Sequence, residues 1–393
     1  MVGRLLVVCN ALDDRTRLER GITTDSPAAS RKVFMMCRAL RLAGIRPTVL
    51  SLGRGRHDGS GRRFRARVRR VQGVPVLYGA FWHRAALSQL LSLRAPALAL
   101  WRARRLPGQK TALFYNCLPA YVPGLVLARL LRWRTVLDLE DGAVPATAPG
   151  GSGRVLRWTR RLFDRLCTGG ALLACQALEE ATALRPTTCC YGTVEPCAGK
   201  PPWTAHGLTV LIGGTIAPET GADLLIDAIA MLRLRRPAWA EGLAIQVTGS
   251  GTSIGPLRQL AAEPGWPAVT VHGRTTDAGY RAIVASSHVG LALKPRSGPL
   301  ARTTFPSKVI ELAGAGLLLL TTDISDVRLI FGPAAVYLDD ETAAGLADRL
   351  QWICEHRQEA QALAARAARD VHEHFAPEVV GRSLATFLFA HAR

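Results

Sequence analysis

Short runs of aliphatic and β-branched residues alternate along the whole chain with stretches whose apolar positions recur at helical spacing. This alternation is typical of βα units, in which parallel strands are joined by helices. In the first half the runs predict strands at residues 5–10, 47–52, 74–78, 112–116, 135–139 and 171–175. In the second half they predict strands at residues 208–212, 244–248, 269–272, 289–293, 317–321 and 335–338. We therefore expect an α/β fold built on parallel sheets.

The pattern lapses once, over residues 194–207, where three Pro, two Gly and no periodicity predict a linker. We expect an N-terminal domain at 1–200, a C-terminal domain at 201–375, and a last helix at 376–393 that packs back on the first domain. Each series of strands predicts a doubly wound, Rossmann-like domain, and the two domains are expected to face each other across a cleft. Ligands of such sheets bind outside the carboxyl ends of the strands.

Charge is distributed unevenly along the chain, which carries a formal net charge of +20. Residues 1–200 hold 33 Lys or Arg and 12 Asp or Glu, whereas residues 201–393 hold 17 and 18. The basic half should meet an anionic partner, and lipid headgroups, a phosphorylated substrate and nucleic acid are the candidates. Because 48% of the residues are apolar and 20% are charged, wholesale disorder is excluded.

The nine Cys residues are scattered without a CxxC spacing, which predicts free thiols in a reducing cytoplasm and no metal site. No apolar run reaches the roughly 18 residues that a membrane span needs. The apolar run at residues 5–12 is short, and two Asp follow at once, unlike the pattern of a signal peptide. We therefore expect a cytoplasmic protein without a membrane-spanning helix.

The second half contains several motifs with the spacing of a phosphate or nucleotide site. Glycines follow two predicted strands, where they allow a phosphate or ribose to approach the backbone. A third strand ends at Lys294, and a loop leads to a helix that is expected to open at Ser307. Lys308 and Glu311 share one face of that helix, a spacing that an ordinary ion pair would also produce. Lysine is rare, with five Lys beside 45 Arg, which draws attention to the two Lys in this stretch. The motif residues are Gly213, Gly214, Gly249, Lys294, Arg296, Ser307, Lys308 and Glu311.

This arrangement resembles family 4 glycosyltransferases of the GT-B fold, and it is similar to members from bacterial capsule and exopolysaccharide pathways. The resemblance covers residues 205–375, whereas the first half matches only in outline. The matching motifs are GG…TGADLLIDA at 213–228, GSG at 249–251, HGR at 272–274, KPR at 294–296, FPSK at 305–308, Glu311 and Gly316.

The resemblance implies a role for each matched position. Glu311 is implied to accept hydrogen bonds from the ribose of a nucleotide-sugar donor, and Arg296 and Lys308 are implied to neutralise the diphosphate leaving group. Fixed cations at that point stabilise the charge that develops as the bond breaks. Backbone amides at Gly213, Gly214 and Ser307 could add donors, and Gly249 lies in the matching GSG motif.

The sequence also departs from the family pattern. Thr303 stands where many members have the first of two Glu, and Leu317 stands where the pattern has Pro. Gly214 or Thr215 and Thr220 stand where many members have an Arg and a Lys. We expect the Lys294–Pro295–Arg296 motif to supply cations in their place.

In the first half, three carboxylates cluster where a predicted strand ends, at Asp138, Glu140 and Asp141. The carboxyl end of a strand is where a catalytic carboxylate faces a ligand. We expect Glu140 or Asp141 to orient the acceptor hydroxyl or to help deprotonate it, although a solvated turn has the same composition. Asn10 and Asn116, each at a predicted strand end, are candidates for contacts with sugar hydroxyls.

The segment Arg54–Arg70 contains eight Arg and one Asp, and its pattern predicts a solvated loop. The sequence contains no helix-turn-helix, zinc finger or aromatic RNA platform, so nucleic acid is not expected as a partner. An anionic membrane surface explains the charge better, and residues 78–91, with Phe81 and Trp82, could dip into a headgroup layer. We therefore expect peripheral attachment to the inner face of the membrane.

From these features and the resemblance we expect a retaining glycosyltransferase. It would move a hexose-like sugar from a nucleoside-diphosphate donor to a hydroxyl of a lipid-linked or polysaccharide acceptor, with no metal and no cofactor besides the donor. Retention and metal independence are implied by the resemblance alone. Two alternatives remain open: a nucleotide-sugar epimerase of the same fold, and a non-catalytic protein that binds nucleic acid or an assembly.

Overall fold

The computed structural model describes residues 3–23, 25–55, 63–140, 151–194, 203, 207–298 and 301–390, of which 151 and 152 are described by their backbone alone. The chain forms two compact units. Unit 1 comprises Met1–Thr193 and Pro377–Arg393, and unit 2 comprises Val194–Ala376. The sequence had led us to expect these boundaries after residues 200 and 375.

Unit 1 is built on a sheet that has the order β3-β4-β2-β1-β5-β6-β7-β8. All neighbouring pairs in it are parallel except β3 and β4. The strands are β1 Arg4–Cys9, β2 Arg46–Ser51, β3 Arg67–Val71, β4 Val74–Tyr78, β5 Lys110–Tyr115, β6 Arg134–Leu139, β7 Ala171–Leu173 and β8 Thr187–Cys189. The helices of this unit are α1 Asp14–Glu19, α2 Pro27–Leu42, α3 Ala85–Ala103, α4 Val122–Leu130, α5 Gly151–Leu166 and α13 Pro377–Phe389.

The last helix, α13, completes the core of unit 1. It packs against α2 and reaches β5 and β6. Leu384 and Leu388 are buried in the same apolar cluster as Leu5 and Val7 of β1. A side-chain carbon on Gly381 would lie 2.1 Å from the carbonyl oxygen of Ala39, so a glycine lets α13 approach the backbone of α2.

Unit 2 is built on an entirely parallel sheet with the order β11-β10-β9-β12-β13-β14. Its strands are β9 Leu208–Thr215, β10 Leu243–Ser250, β11 Ala268–Gly273, β12 Val289–Ala292, β13 Leu318–Thr321 and β14 Val336–Tyr337. Its helices are α6 Ala222–Arg235, α7 Ile254–Ala262, α8 Asp277–Ala285, α9 Lys308–Gly314, α10 Val327–Phe331, α11 Ala343–Glu355 and α12 Arg357–Phe375. A buried aliphatic cluster, drawn from the strands and from α6 and α11, forms its core.

The expected α/β fold of two Rossmann-like domains is confirmed, and each of the twelve expected strands overlaps an observed one. Two short strands, β3 and β8, were not expected. The prediction of a loop throughout Arg54–Arg70 is wrong for β3, which forms an edge strand antiparallel to β4. Three of its five residues are Arg, which fits an edge strand, because charged side chains there disfavour pairing with another chain.

Candidate active site

Two glycine loops meet at the carboxyl ends of β9 and β10 in unit 2. Gly213 pairs with Thr248 and Gly214 pairs with Gly249 in the parallel ladder. The backbone φ angle is +109° at Gly214 and +118° at Gly249, a region that favours glycine. A side-chain carbon on Gly249 would lie 1.8 Å from the carbonyl oxygen of Gly214. The expected glycines are therefore required here, and they leave a stretch of bare backbone at the strand ends.

Lys308, the first residue of α9, lies directly against this bare backbone. A side-chain carbon on Gly213 would be 3.1 Å from its Nζ, and one on Gly214 would be 2.8 Å from its Cε. The Nζ atom also lies 5.1 Å from the ring centroid of Tyr280 on α8, within the range of a cation–π contact. The structure thus brings together four of the expected residues, Gly213, Gly214, Gly249 and Lys308, and places a cation beside a backbone that carries no side chains.

Threonine hydroxyls add hydrogen-bonding capacity in this region. The Oγ1 atom of Thr248 is buried and has no hydrogen-bond partner among the described residues, and it lies 2.7 Å from the position that a side-chain carbon on Gly213 would take. The Oγ1 atoms of Thr303 and Thr304, in the loop before α9, are also buried and have no hydrogen-bond partner among the described residues. Because buried polar groups are normally satisfied, these hydroxyls have capacity for bonds to a ligand.

Arg296 is engaged elsewhere in this structure. Its Nε lies 2.7 Å from Oε1 of Glu341, and its guanidinium also donates to the carbonyl oxygen of Asp339. Its backbone N–H donates to the same Glu341 carboxylate. The expected contact of Arg296 with a diphosphate therefore requires the ion pair with Glu341 to open. The neighbouring Lys294 accepts a 2.6 Å hydrogen bond at its carbonyl oxygen from Thr322.

The helix that carries Lys308 begins one residue later than expected. Ser307 has helical backbone angles but makes no side-chain cap bond, and its N–H donates to the carbonyl oxygen of Phe305 at 2.9 Å. The Ser307 amide is thus committed within the chain and is not open to a phosphate. Glu311 lies one turn along α9 from Lys308 and is half-buried. The structure keeps both side chains on α9, as the spacing indicated.

In unit 1, Glu140 follows β6 and forms an ion pair with Lys32 on α2. The exposed fractions of the two side chains are 15% for Glu140 and 8% for Lys32. The backbone N–H of Glu140 also donates to Oδ1 of Asn116 at 2.9 Å. Glu140 is therefore held from two sides, and it is partly shielded from water rather than part of a solvated turn. Asp141, the other expected carboxylate, lies outside the described residues.

Asp138 is the most deeply buried carboxyl group of this cluster, with 1% of the residue exposed. Neither of its carboxyl oxygens has a hydrogen-bond partner in the described part of the chain. Burial and then the negative charge of Glu140 raise the pKa of Asp138 well above its ordinary value, and Lys32 opposes that shift. Burial lowers the pKa of Lys32, but the neighbouring acidic groups, with Glu140 first, outweigh it and raise that pKa. The cluster therefore favours a neutral Asp138 beside a charged Lys32.

The two expected asparagines lie near this cluster in the sheet order, at the ends of β1 and β5. Oδ1 of Asn10 is buried without a partner among the described residues. Asn116 has a left-handed backbone, with φ +60°, and uses its Oδ1 to hold Glu140. The Oδ1 atom of Asn10 therefore remains a candidate to accept a hydrogen bond from a sugar hydroxyl. The Oδ1 atom of Asn116 instead accepts a hydrogen bond from the backbone of Glu140 and so positions that residue.

Sequence analysis missed four residues of these sites, Lys32, Thr248, Thr304 and Tyr280. The rarity of lysine was a usable signal for Lys32, because it is one of only five in the chain. No local pattern distinguishes Thr248 or Tyr280 from other residues of buried strands and helices.

The basic segment that was expected to contact a membrane is partly used within unit 1. Arg67 and Arg69 both pair with Glu19 of α1, and Arg69 lies 3.7 Å from Asp13. Phe81 is fully buried, so the expectation that it dips into a headgroup layer is wrong. Residues 56–62 of the segment lie outside the described residues.

The described ranges hold no group of three or more His, Cys, Asp or Glu arranged to bind a metal ion. Within those ranges, no helix combines the length and the apolar character needed to cross a bilayer.

Comparison with protein families matches residues 197–384 to a family described as "Glycosyl transferase-like". The matched region contains the glycine loops, Lys308 and Glu311. No curated protein matches the chain.

Solved structures with a similar fold are numerous, and the three described here have low sequence identity to this chain. The Anabaena protein Alr3699/HepE in complex with UDP is 15% identical over 99% of this chain and 100% of that one, with a TM-score of 0.68. A sucrose-phosphate synthase from Thermosynechococcus elongatus is 12% identical over 98% of both chains, with a TM-score of 0.68. A UDP-forming α,α-trehalose-phosphate synthase from Burkholderia vietnamiensis is 14% identical over 99% and 97%, with a TM-score of 0.66. The protein thus has the GT-B fold, and its residues 197–384 are similar to the glycosyl transferase-like family.

Proposed function

From a glycosyl transferase-like domain on a GT-B fold, we propose that this protein is a retaining glycosyltransferase of the family 4 type. It transfers a hexose-like sugar from a nucleoside-diphosphate donor to a hydroxyl of a lipid-linked or polysaccharide acceptor. The observation that carries the proposal is the position of Lys308 against the bare backbone of Gly213 and Gly214.

The geometry around Lys308 suits a diphosphate. A phosphate can approach a backbone closely where the residues carry no side chain of their own, as at Gly213 and Gly214. The Nζ of Lys308 supplies a positive charge beside it, and a fixed cation stabilises a leaving diphosphate more strongly in the transition state than in the ground state. The Anabaena relative was solved with UDP, which supports a uridine nucleotide as the first donor to test.

Glu311 is proposed to bind the ribose of the donor. It lies on α9 with Lys308, so one short helix presents a cation for the diphosphate and an acceptor for hydroxyl groups. The charge-assisted hydrogen bonds that a carboxylate accepts from hydroxyls contribute about 1.5–3 kcal/mol.

Glu140 is proposed to orient the acceptor hydroxyl from unit 1. Its carboxylate is held by the ion pair with Lys32, and its backbone N–H donates to Oδ1 of Asn116, so its position is fixed from two sides. Orientation is therefore the role that the geometry favours over full deprotonation. An unpaired buried Oδ1 at Asn10 offers a second contact with an acceptor hydroxyl.

Attachment to an anionic membrane surface is the proposed location of the activity. The supporting observation is the net charge of residues 1–200, in which 33 basic residues outnumber 12 acidic ones.

The direct test combines donor binding with product analysis. A thermal-shift panel of UDP, GDP, ADP and CDP should show stabilisation by one nucleoside diphosphate, which then selects the sugar donors. Incubation with those donors and a lipid-linked saccharide should give a product one hexose heavier by mass spectrometry. If Glu311→Ala binds the selected nucleotide as tightly as the parent chain, the donor site proposed here is wrong. An epimerised donor without transfer to any acceptor would favour the epimerase alternative.

A further inference from the structure

The outer helices of unit 1 expose an unusual number of large apolar side chains. In the described ranges, sixteen such side chains are exposed, and nine of them lie on only three helices. Isolated exposed apolar residues are normal, whereas a concentrated patch marks an interaction site. The nine are Leu87, Leu90, Leu93, Leu98 and Trp101 on α3, Val126 and Leu130 on α4, and Val155 and Trp158 on α5. Because α4 packs against both α3 and α5, we call this surface the α3–α4–α5 face.

Helix α3 presents its apolar residues outwards. Of its 19 residues only Ser88, Pro96 and Leu100 are fully buried. Leu87, Leu90 and Leu93 recur at intervals of three, and Leu98 and Trp101 continue the exposed pattern. An ordinary surface helix turns such a stripe towards the core. The apolar stripe of α3 faces outwards and is therefore available to a binding partner.

The charged groups on the same face are almost all positive. No Asp or Glu occurs between residues 59 and 137, and the one acidic residue in the three helices, Asp164, lies close to Arg160 and accepts a 2.6 Å hydrogen bond from Thr182. The exposed arginines of these helices are Arg94, Arg102, Arg129, Arg154, Arg157, Arg161 and Arg165.

We propose that the α3–α4–α5 face docks on the surface of a bilayer that contains anionic lipid. Its exposed Leu and Trp side chains enter the boundary between headgroups and acyl chains while its Arg side chains contact lipid phosphates. The proposal rests on the membrane attachment given under Proposed function and names the surface that makes it. That surface is not the basic segment Arg54–Arg70, in which Arg67 and Arg69 already pair with acidic groups of unit 1.

Two other occupants fit the face less well. A symmetric dimer brings the same patch of each copy together, which here would set Arg side chains against Arg side chains without an acidic partner. A nucleic acid would pair with the Arg residues but would leave the aliphatic stripe of α3 in water. A bilayer surface matches both the charge and the apolar residues.

The test compares two matched triple variants in vesicle sedimentation. Leu98→Gln, Leu130→Gln and Trp158→Gln together alter all three helices at side chains that are 47%, 74% and 58% exposed. The control carries Leu42→Gln, Leu234→Gln and Leu329→Gln, at side chains that are 60%, 86% and 63% exposed on α2, α6 and α10. With vesicles of phosphatidylcholine and phosphatidylglycerol, the first variant should partition at least about tenfold less than the parent chain. The control should partition like the parent.

A second pair of variants tests the charge. Arg94→Gln, Arg129→Gln and Arg157→Gln together should weaken binding to the same vesicles by about fivefold for each charge removed. Arg235→Gln, Arg366→Gln and Arg382→Gln, which are exposed on other helices, should leave binding unchanged. Raising the salt concentration should release the parent chain, because the attraction acts over a Debye length of roughly 8–10 Å.

The outcomes separate this proposal from the ones it rests on. If the parent chain binds no anionic vesicle, membrane attachment itself is wrong. If it binds and the variants of the α3–α4–α5 face bind equally well, this surface is wrong. If those variants instead change the oligomeric state in sedimentation velocity, the face belongs to a second copy of the chain and the lipid proposal fails. Binding of the selected nucleoside diphosphate, measured on the same samples, reports separately on the donor site in unit 2.

Discussion

Lys32 on α2 forms an ion pair with Glu140, which lies 108 residues further along the chain at the end of β6. The pair is shielded from water, since the two side chains are 8% and 15% exposed. In such surroundings, removing one partner is far more costly than removing both, because a lone charge is left without its partner or full hydration.

We therefore predict that Lys32→Met lowers the free energy of unfolding of unit 1 by about 3–5 kcal/mol. The double variant Lys32→Met with Glu140→Gln should recover most of that loss. Urea unfolding of the parent, the two single variants and the double variant provides the measurement. As a control, Arg328→Met breaks the exposed pair with Asp323 and should cost no more than about 1 kcal/mol. Equal losses in the Lys32 and Arg328 variants would contradict the argument.

We predict different catalytic effects for substitutions at Lys308 and Arg296. Lys308 lies against the glycine loop, whereas Arg296 forms an ion pair with Glu341. Lys308→Ala should lower kcat/KM for the donor by about 100-fold, as expected for lost stabilisation of the leaving group. Arg296→Ala should lower it by less than about tenfold. Steady-state kinetics of nucleotide release measures both, and an equally large loss for Arg296→Ala would show that its ion pair opens during the reaction.

Gly214 offers a test of the bare backbone with a close control. The backbone φ angle is +109° at both Gly214 and Gly192. An alanine at Gly214 meets Cε of Lys308 at 2.8 Å, whereas nothing lies within 4 Å of an alanine at Gly192. Both Gly214→Ala and Gly192→Ala should lose about 1–2 kcal/mol of stability from the left-handed backbone. Only Gly214→Ala should lower the affinity for the nucleoside diphosphate, by at least about tenfold in titration calorimetry.

The raised pKa of Asp138 leads us to predict that the free energy of unfolding depends on pH. The pKa of Asp138 is raised in the folded protein, chiefly by burial and then by the charge of Glu140. The native state therefore keeps a proton that the unfolded chain loses above about pH 4. The stability that this proton contributes is fully present below that pH and is lost as the pH rises through the folded pKa.

Asp138→Asn should remove this dependence, since an amide does not titrate. The difference in unfolding free energy between the parent and Asp138→Asn should grow in favour of the variant from pH 4 upwards, by as much as about 1.4 kcal/mol per pH unit. A parent chain whose stability relative to Asp138→Asn stays constant between pH 4 and pH 8 would contradict the raised pKa.

The sheets and the glycine loops could be predicted from sequence because their causes are local. The strands of both cores are continuous aliphatic runs, such as Leu318–Thr321, and the loop glycines are required by the φ angles and close contacts at the strand ends. Strand β3 was not predicted because its Arg residues suggested a solvated loop. In the structure Arg67 and Arg69 pair with Glu19, about 50 residues away in sequence, and no local pattern indicates that contact.

The chemistry of unit 1 depends on contacts that no sequence spacing reveals. Lys32 reaches Glu140 only after α2 has packed on the sheet, and the buried position of Asp138 follows from the order of β5, β6 and β7. In unit 2 the same holds for Tyr280, which meets Lys308 from another helix. The ion pair between Arg296 and Glu341 is a further contact that the sequence motif did not predict.

The place of α13 has a consequence for how the chain folds during synthesis. Residues 194–376 contain every strand of the second sheet and can bury their core as soon as they leave the ribosome. The first 193 residues emerge earlier, yet their core lacks Leu384 and Leu388 until residues 377–390 have been made. The order of completion is therefore the reverse of the order of translation. Until then, the surface of α2 that α13 covers stays open to chaperones, to proteases and to other nascent chains.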